Sequence, residues 1–272
     1  MDSLDQPTIE MPGAVVSDTA TIDYEQPLNE RMRTYLRLEF LYRQTLFHQA
    51  NEDTWSSRAA MSSILEILAI TARGDCRADA LKELERQLAA LHEFRARQGV
   101  DSERLHSIMA KLAEHRVELN AAGVAFMQNL RDSEFLSAIR LRSAIPGGTC
   151  EFDLRDYVHW LNQPFAIRQA MFNEWMNHIR SLCDAVIYLL WVTRQNSRPR
   201  RETATAGNFQ LNLDRDSHCQ LLRITLPAGT DLFPEISGSH YRCSIRFMQW
   251  HGVIARPTQA EHDVPFLLTT CT

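Results

Sequence analysis

Tyr241-Arg242-Cys243-Ser244-Ile245-Arg246-Phe247-Met248 alternates strictly between two kinds of side chain. Tyr241, Cys243, Ile245 and Phe247 fall on one side. Arg242, Ser244, Arg246 and Met248 fall on the other, the period of two that a half-buried strand requires. The first set is aromatic and β-branched enough for a sheet core. On the second, two guanidiniums recur four residues apart, about 13 Å along an extended chain. That spacing is too wide for one bidentate clamp. It suits a row of donors facing an extended acidic peptide or a phosphate backbone.

The neighbouring sequence shares this grammar. After Ser197-Arg198-Pro199-Arg200-Arg201, short runs are punctuated by Gly, Pro, Asp and Asn: 209–213, 220–226 and 264–270. Leu222, Ile224 and Leu226 alternate with Leu221, Arg223 and Thr225, which makes Arg223 a candidate for a strand beside Arg242 and Arg246. Pro265 argues that the last run lies at a sheet edge. Residues 201–272 therefore read as a small antiparallel β-rich domain.

Upstream the period changes to that of helices. Residues 1–20 lack periodicity and are expected to form a flexible leader. Residues 21–200 read as a mainly helical domain with short strand segments near 21–25 and 149–152, either of which can join the C-terminal sheet. Asn29 is a candidate N-cap, followed by a Met32, Leu36, Phe40 stripe with Tyr35 beside it. Met61, Ile64, Leu65 and Leu68 mark a second helix ending near Arg73-Gly74. Leu81, Leu84, Leu88 and Leu91, then Leu105, Ile108, Leu112, His115 and Leu119, predict an αα-hairpin. Asp101 or Ser102 caps its second arm, and Asp153 suits a cap before Tyr157 and Leu161. From Pro164 an apolar stripe runs to Leu190, predicting one long helix as the spine. The fold class is α+β.

Composition excludes several functions. With 272 residues, 44% hydrophobic, the chain has a substantial core. A formal charge of −5 disfavours bulk attraction to nucleic acid or anionic membrane. Lys82 and Lys111 are the only lysines, so the positive charge is arginine, suited to fixed planar contacts. Six cysteines without a CxxC pair do not form a disulfide scaffold, and the longest apolar run, 185–192, is far short of a membrane span of about 20 residues. A reduced, cytoplasmic protein without membrane insertion is expected.

No enzyme signature is complete. His218, Cys219, His240 and Cys243 make only a weak set of zinc ligands, since both cysteines occupy strand positions. Ile236-Ser237-Gly238-Ser239-His240 is not a nucleophile elbow. Gly147-Gly148 lacks the lysine and hydroxyl of a phosphate loop. Glu151, Asp153 and Asp156 are better used as turn and cap residues. Neither catalytic nor metal residues are assigned, and no cofactor. What remains is basic: Arg242 and Arg246, Arg223, Arg73 at a helix end, and the Arg198, Arg200, Arg201 run. An acidic, extended segment fits such a surface. Single-stranded nucleic acid is the alternative, weakened because no Tyr or Phe interleaves the arginines.

Ordered blocks along the chain resemble the ZapD family of FtsZ-associated cell division proteins. They are residues 27–40 (PLNERMRTYLRLEF), 78–87 with its LKELERQ core, 145–154 (IPGGTCEFDL), 232–238 (LFPEISG) and 242–248 (RCSIRFM). The resemblance implies a cytoplasmic homodimer without enzymatic activity, recruited to the mid-cell septum. It implies that each subunit binds the C-terminal tail of FtsZ, so that the dimer crosslinks filaments and stabilises the Z-ring. The resemblance further implies that Arg73, Arg242 and Arg246 belong to the tail-binding surface. Cys243 stands between the arginines in place of a bulkier apolar residue.

Overall fold

The computed structural model describes residues 20–94, 101–123, 127–195, 197–213, 218–238 and 242–272. The expected leader, apart from Ala20, and Tyr241, Ser239 and His240 lie outside these. The chain divides into two compact units, a β unit and a helical unit. The helical unit comprises Pro27–Arg198 with His218–Leu221 and Cys271–Thr272; the β unit takes the residues up to Gln26, Pro199–Ser217 and Leu222–Thr270.

In the helical unit, α1 (Glu30–Gln49) begins where Asn29 Oδ1 accepts the Met32 N–H at 2.7 Å. Its buried stripe is Met32, Tyr35, Leu38, Tyr42 and Thr45, an i+3/i+4 ladder one step round from the expected one. Phe40 is consequently 65% exposed. The second helix, α2 (Thr54–Thr71), packs along α1 and is capped by Asp53, which accepts the Ser56 N–H at 2.8 Å. The hairpin arms are α3 (Cys76–Phe94) and α4 (Ser102–Ala121), and Asp101 rather than Ser102 caps the second arm.

Two short helices follow, α5 (Gln128–Arg131) and α6 (Glu134–Ser143), then α7 (Arg155–Leu161) and the 31-residue α8 (Phe165–Gln195). The last is the expected spine: it packs on α1, α3 and α4 through Phe172, Met176, Ile179, Cys183, Val186 and Leu190. Each such fully buried side chain contributes about 1.5–3 kcal/mol before entropy is counted. None of the described helices is long and apolar enough to cross a membrane.

The strand expected at 149–152 is absent. Residues 145–153 form successive turns, with Gly147 at φ 71°, the Gly148 N–H donating to Ile145 O (2.9 Å) and the Cys150 N–H to Gly147 O (3.0 Å). Backbone donors used locally cannot build a ladder. Asp153 is also drawn into this loop, accepting from Cys150 Sγ and lying 3.7 Å from Arg142, so Leu154 occupies the cap of α7.

The strands of the β unit are β1 (Thr21–Pro27), β2 (Arg200–Ala204), β3 (Asn208–Asn212), β4 (Leu221–Pro227), β5 (Leu232–Gly238), β6 (Arg242–Gln249), β7 (Thr258–Gln259) and β8 (Val264–Cys271). They form two sheets, β1-β4-β8-β2 and β3-β6-β5, with β7 also pairing β6. The early strand β1 therefore joins the C-terminal strands, as expected of the first segment. Arg200 and Arg201, read as a linker, pair with Leu268 and Leu267 in β2. Pro265 is not on an edge strand: β8 lies between β4 and β2, and the proline falls at its second residue, where a missing donor interrupts least. The sheets face each other as a sandwich. Phe247 and Phe209 meet Phe266 at ring separations of 4.9 and 5.2 Å, with Leu222, Ile224, Leu226, Cys243 and Ile245 filling the layer.

Candidate partner-docking face

Strand β6 is the centre of its sheet, and its parity decides what it presents. Cys243, Ile245 and Phe247 are fully buried, while Arg242 and Arg246 are exposed. Burial raises the Cys243 thiol pKa, so it behaves as a small packing group and not as a thiolate. On the outer face, register with both neighbours builds three polar rows. Arg246 lies between Asn208 of β3 and Glu235 of β5. Ser244 lies between Gln210 and Ser237, and Gln210 Nε2 donates to its Oγ at 2.9 Å. Arg242 lies opposite Asn212.

The two guanidiniums differ in their partners. Arg246 Nη2 donates to Glu235 Oε2 at 3.0 Å, and about half of each side chain is in solvent. Such a pair is worth about 0.2–1 kcal/mol and exchanges readily for another carboxylate. Arg242 makes no ion pair among the described residues and faces the Asn212 amide across the β3–β6 ladder. Gly238 keeps the β5 strand close beside it: a Cβ there would lie 2.5 Å from Arg242 O and 2.6 Å from the Cys243 Cα.

The other sequence-selected arginines are placed elsewhere. Arg223 is not on a strand neighbouring β6. It projects from the outer face of the opposite sheet, 3.1 Å from Glu25 and 3.6 Å from Asp23 on β1. Arg73 belongs to the helical unit, in the exposed turn between α2 and α3, its N–H donating to Ile70 O at 3.2 Å. Arg200 pairs with Glu202 at 2.9 Å. Residues the sequence reading passed over are Asn212 and Glu235, which set the difference between Arg242 and Arg246. Only strand register reveals them.

The zinc and nucleophile alternatives gain nothing from the geometry of the described residues. Ser237 faces outward while Cys243 faces inward, so they point away from one another. His218 is exposed and Cys219 buried, and among the described residues no group of His, Cys, Asp and Glu has metal-binding spacing. A cleft of about 490 Å³ lies over the 147–151 turn in the helical unit, lined by Trp55, Arg58 and Glu151. Its cation is already engaged. The Arg58 guanidinium stacks on Tyr157 at 5.1 Å and donates to Thr149 O at 2.9 Å.

Perturbed titrating groups cluster in the helical core instead. Burial raises Asp184, which accepts from Tyr42 Oη at 2.9 Å, and burial, with Lys111 second, lowers His115. Burial alone would raise Glu83. Hydrogen bonds and charge from Arg86, with the Arg31 charge, outweigh it and leave the carboxyl below its ordinary value. Asp184 and Glu83 are packed, bonded groups with a structural role, and His115 is packed 3.4 Å from Glu118.

The geometry thus defines an α+β protein, a helical unit and a β-sandwich, whose exposed polar constellation is a cationic strand face. Comparison with known proteins narrows this to a family. The profile of the cell division protein ZapD matches residues 36–246. The cell division protein ZapD of Azoarcus sp. (strain BH72) is 36% identical over 251 residues, 92% of this chain and 99% of that protein. That of Methylococcus capsulatus is 35% identical over 252 residues, 92% and 98% respectively. That of Dechloromonas aromatica is 36% identical over 250 residues, with 92% and 99% covered. This chain belongs to the ZapD family of cell division proteins.

Proposed function

We propose that this protein binds the C-terminal tail of FtsZ through Arg242 and Arg246 and, as a homodimer, crosslinks FtsZ filaments at the division septum. The observation that carries the reading is the pair of solvent-facing guanidiniums on one side of the central strand, one of them without an acidic neighbour among the described residues. Arg73, exposed at its own helix turn, is assigned a further contact with the same partner.

The mechanism is bivalency without catalysis. An extended acidic tail laid along β6 accepts charge-assisted hydrogen bonds, each worth about 1.5–3 kcal/mol. It gives up conformational entropy on docking, which keeps a single contact weak and reversible. Two such faces on one dimer raise the local concentration of a second filament once the first is held. Weak links of this kind let filaments rearrange while many together organise a ring.

The experiment is co-sedimentation of FtsZ polymers with wild-type protein, R242E and R246E, each checked for dimerisation by analytical ultracentrifugation. Loss of bundling by dimeric variants supports the reading. Unchanged bundling by both overturns it, as does a monomeric wild type at working concentration. A labelled single-strand DNA titration run beside the FtsZ tail peptide tests the nucleic-acid alternative; tighter binding to DNA would favour it.

A further inference from the structure

The cationic row does not stop at Arg246. Met248 and then Trp250 follow at the same parity. The Trp250 N–H donates to Asp231 O at 2.7 Å and Gln249 Nε2 to Asp231 Oδ2 at 3.0 Å, which carries the β5–β6 register one step past the strand end. Trp250 therefore lies on the outer face, and Phe233 stands directly across from Met248. Trp250 is 48% exposed, and in the adjoining loop Val253 and Ile254 are 89% and 99% exposed.

This loop is tied in place. His251 Nε2 and Thr258 Oγ1 are 2.8 Å apart, Gly252 turns the chain at φ 89°, and β7 returns to pair with Met248 and Gln249. The pinned loop holds two aliphatic side chains in water directly after the exposed Trp250 and the arginines of β6, the kind of exposed apolar surface that an interaction site uses.

We propose that Met248, Phe233 and Trp250, with Val253 and Ile254 beyond them, seat an apolar anchor of the same extended acidic segment whose carboxylates meet Arg242 and Arg246. The face then has two halves: a cationic half that orients the segment and sets its arrival rate, and an apolar half that holds it. Because β6 lies between β3 and β5, the segment crosses the sheet's face along the central strand and does not add to an edge. Arg246 and Trp250 are four residues apart, about 13 Å. The anchor therefore sits about four residues from the carboxylate that meets Arg246, with the acidic end toward Arg242.

This rests on the FtsZ-tail reading, and the test separates the two. Fluorescence polarisation with a labelled FtsZ C-terminal tail peptide is run on wild type, R242E, R246E, W250A and I254S, at two salt concentrations. Both apolar variants are expected to raise Kd about three- to tenfold, with little change in salt dependence, whereas R242E flattens the salt dependence. I254S serves as the fold-neutral variant, since that side chain is fully in solvent. If R242E weakens binding and neither W250A nor I254S does, the tail reading stands and the apolar anchor is overturned. If R242E and R246E change nothing, the tail reading itself falls. If W250A and I254S dissociate the dimer while leaving peptide affinity unchanged, the loop is a subunit contact and the proposal is overturned.

Discussion

Arginine serves opposite ends in the two units. In the helical core it is consumed by the fold, whereas Arg73 of the same unit is exposed. Arg168, buried on α8, donates to Gln163 O at 3.2 Å, Glu52 O at 2.6 Å and Ser57 Oγ. Arg194 forms a bidentate pair with the buried Glu39, at 2.9 and 2.7 Å, and Arg31 and Arg86 converge on Glu83 at 2.9 and 2.6 Å. On β6 the same side chain stands in water, with one soft ion pair or none among the described residues. A guanidinium whose donors are satisfied inside the protein holds elements together; one left with water is available to a partner. This contrast separates structural from functional cations more sharply than net charge does.

The largest effect expected is on the structural side. Glu83 is nearly inaccessible and accepts from Arg86, Arg31's neighbour Gln220, and Gln87. Glu83→Ala leaves these donors around an empty site and should cost about 3–5 kcal/mol, measured as a drop in urea midpoint. Gly238→Val comes next. The added carbons must displace the Arg242 carbonyl, so the β5–β6 pairing opens beside the proposed site. About 1–3 kcal/mol should be lost, together with tail binding.

Arg242→Glu should do the reverse of Glu83→Ala. Stability stays within about 0.5 kcal/mol, as for an exposed position, while affinity for the tail falls about tenfold or more, the loss of at least one charge-assisted bond. Calorimetry and peptide titration on the same two samples check the contrast. If Arg242→Glu unfolds the β unit, or Glu83→Ala leaves stability intact, the division between the two sets of arginines is wrong.

A smaller effect concerns pH. Burial lowers His115, whose Nδ1 lies 3.4 Å from Glu118 and whose ring is 5.3 Å from that of Tyr188. With its folded pKa below the ordinary 6.5, its contribution is present above that value and lost as pH falls through the folded pKa. Burial raises Asp184, so its contribution has the opposite sign and is lost as pH rises through its folded pKa. His115 should therefore lower the melting temperature between pH 7 and 5.5, against the opposing contribution of Asp184, and His115→Gln should remove that loss. A slope unchanged by the substitution would place the titrating group elsewhere.

These contrasts also explain how much was legible in the chain. Helix caps at Asn29 and Asp101, the long α8 and the parity of β6 are local signals, and the structure follows them. Strand β5 carries Pro234 and Gly238, which obscure its period in the sequence; both are tolerated on an edge strand. The turns at 149–152 carry residues that a strand accepts equally well, and only the glycine at φ 71° directs the chain otherwise. Arg223 shows the limit most clearly. Alternation within β4 places it on a wet face, but nothing local says which sheet owns the strand. Glu25, nearly 200 positions away, decides that it is paired.

The smallest effect is the sharpest test of the comparison, because it converts one kind of arginine into the other. Arg246 is the intermediate case, exposed yet paired with Glu235 at 3.0 Å. An incoming carboxylate must displace Glu235, so the internal pair competes with the partner. Glu235→Gln removes the competing charge while keeping the side-chain shape and an acceptor. An exposed pair is worth about 0.2–1 kcal/mol, so tail affinity should rise by about 1.5- to fivefold, most strongly at low salt where the competition is least screened. Stability should barely move. Placed in R246E, the same substitution should add little or nothing to affinity, since the guanidinium it frees is gone; a full gain there would mean that Glu235 repels the tail directly and that Arg246 is a bystander.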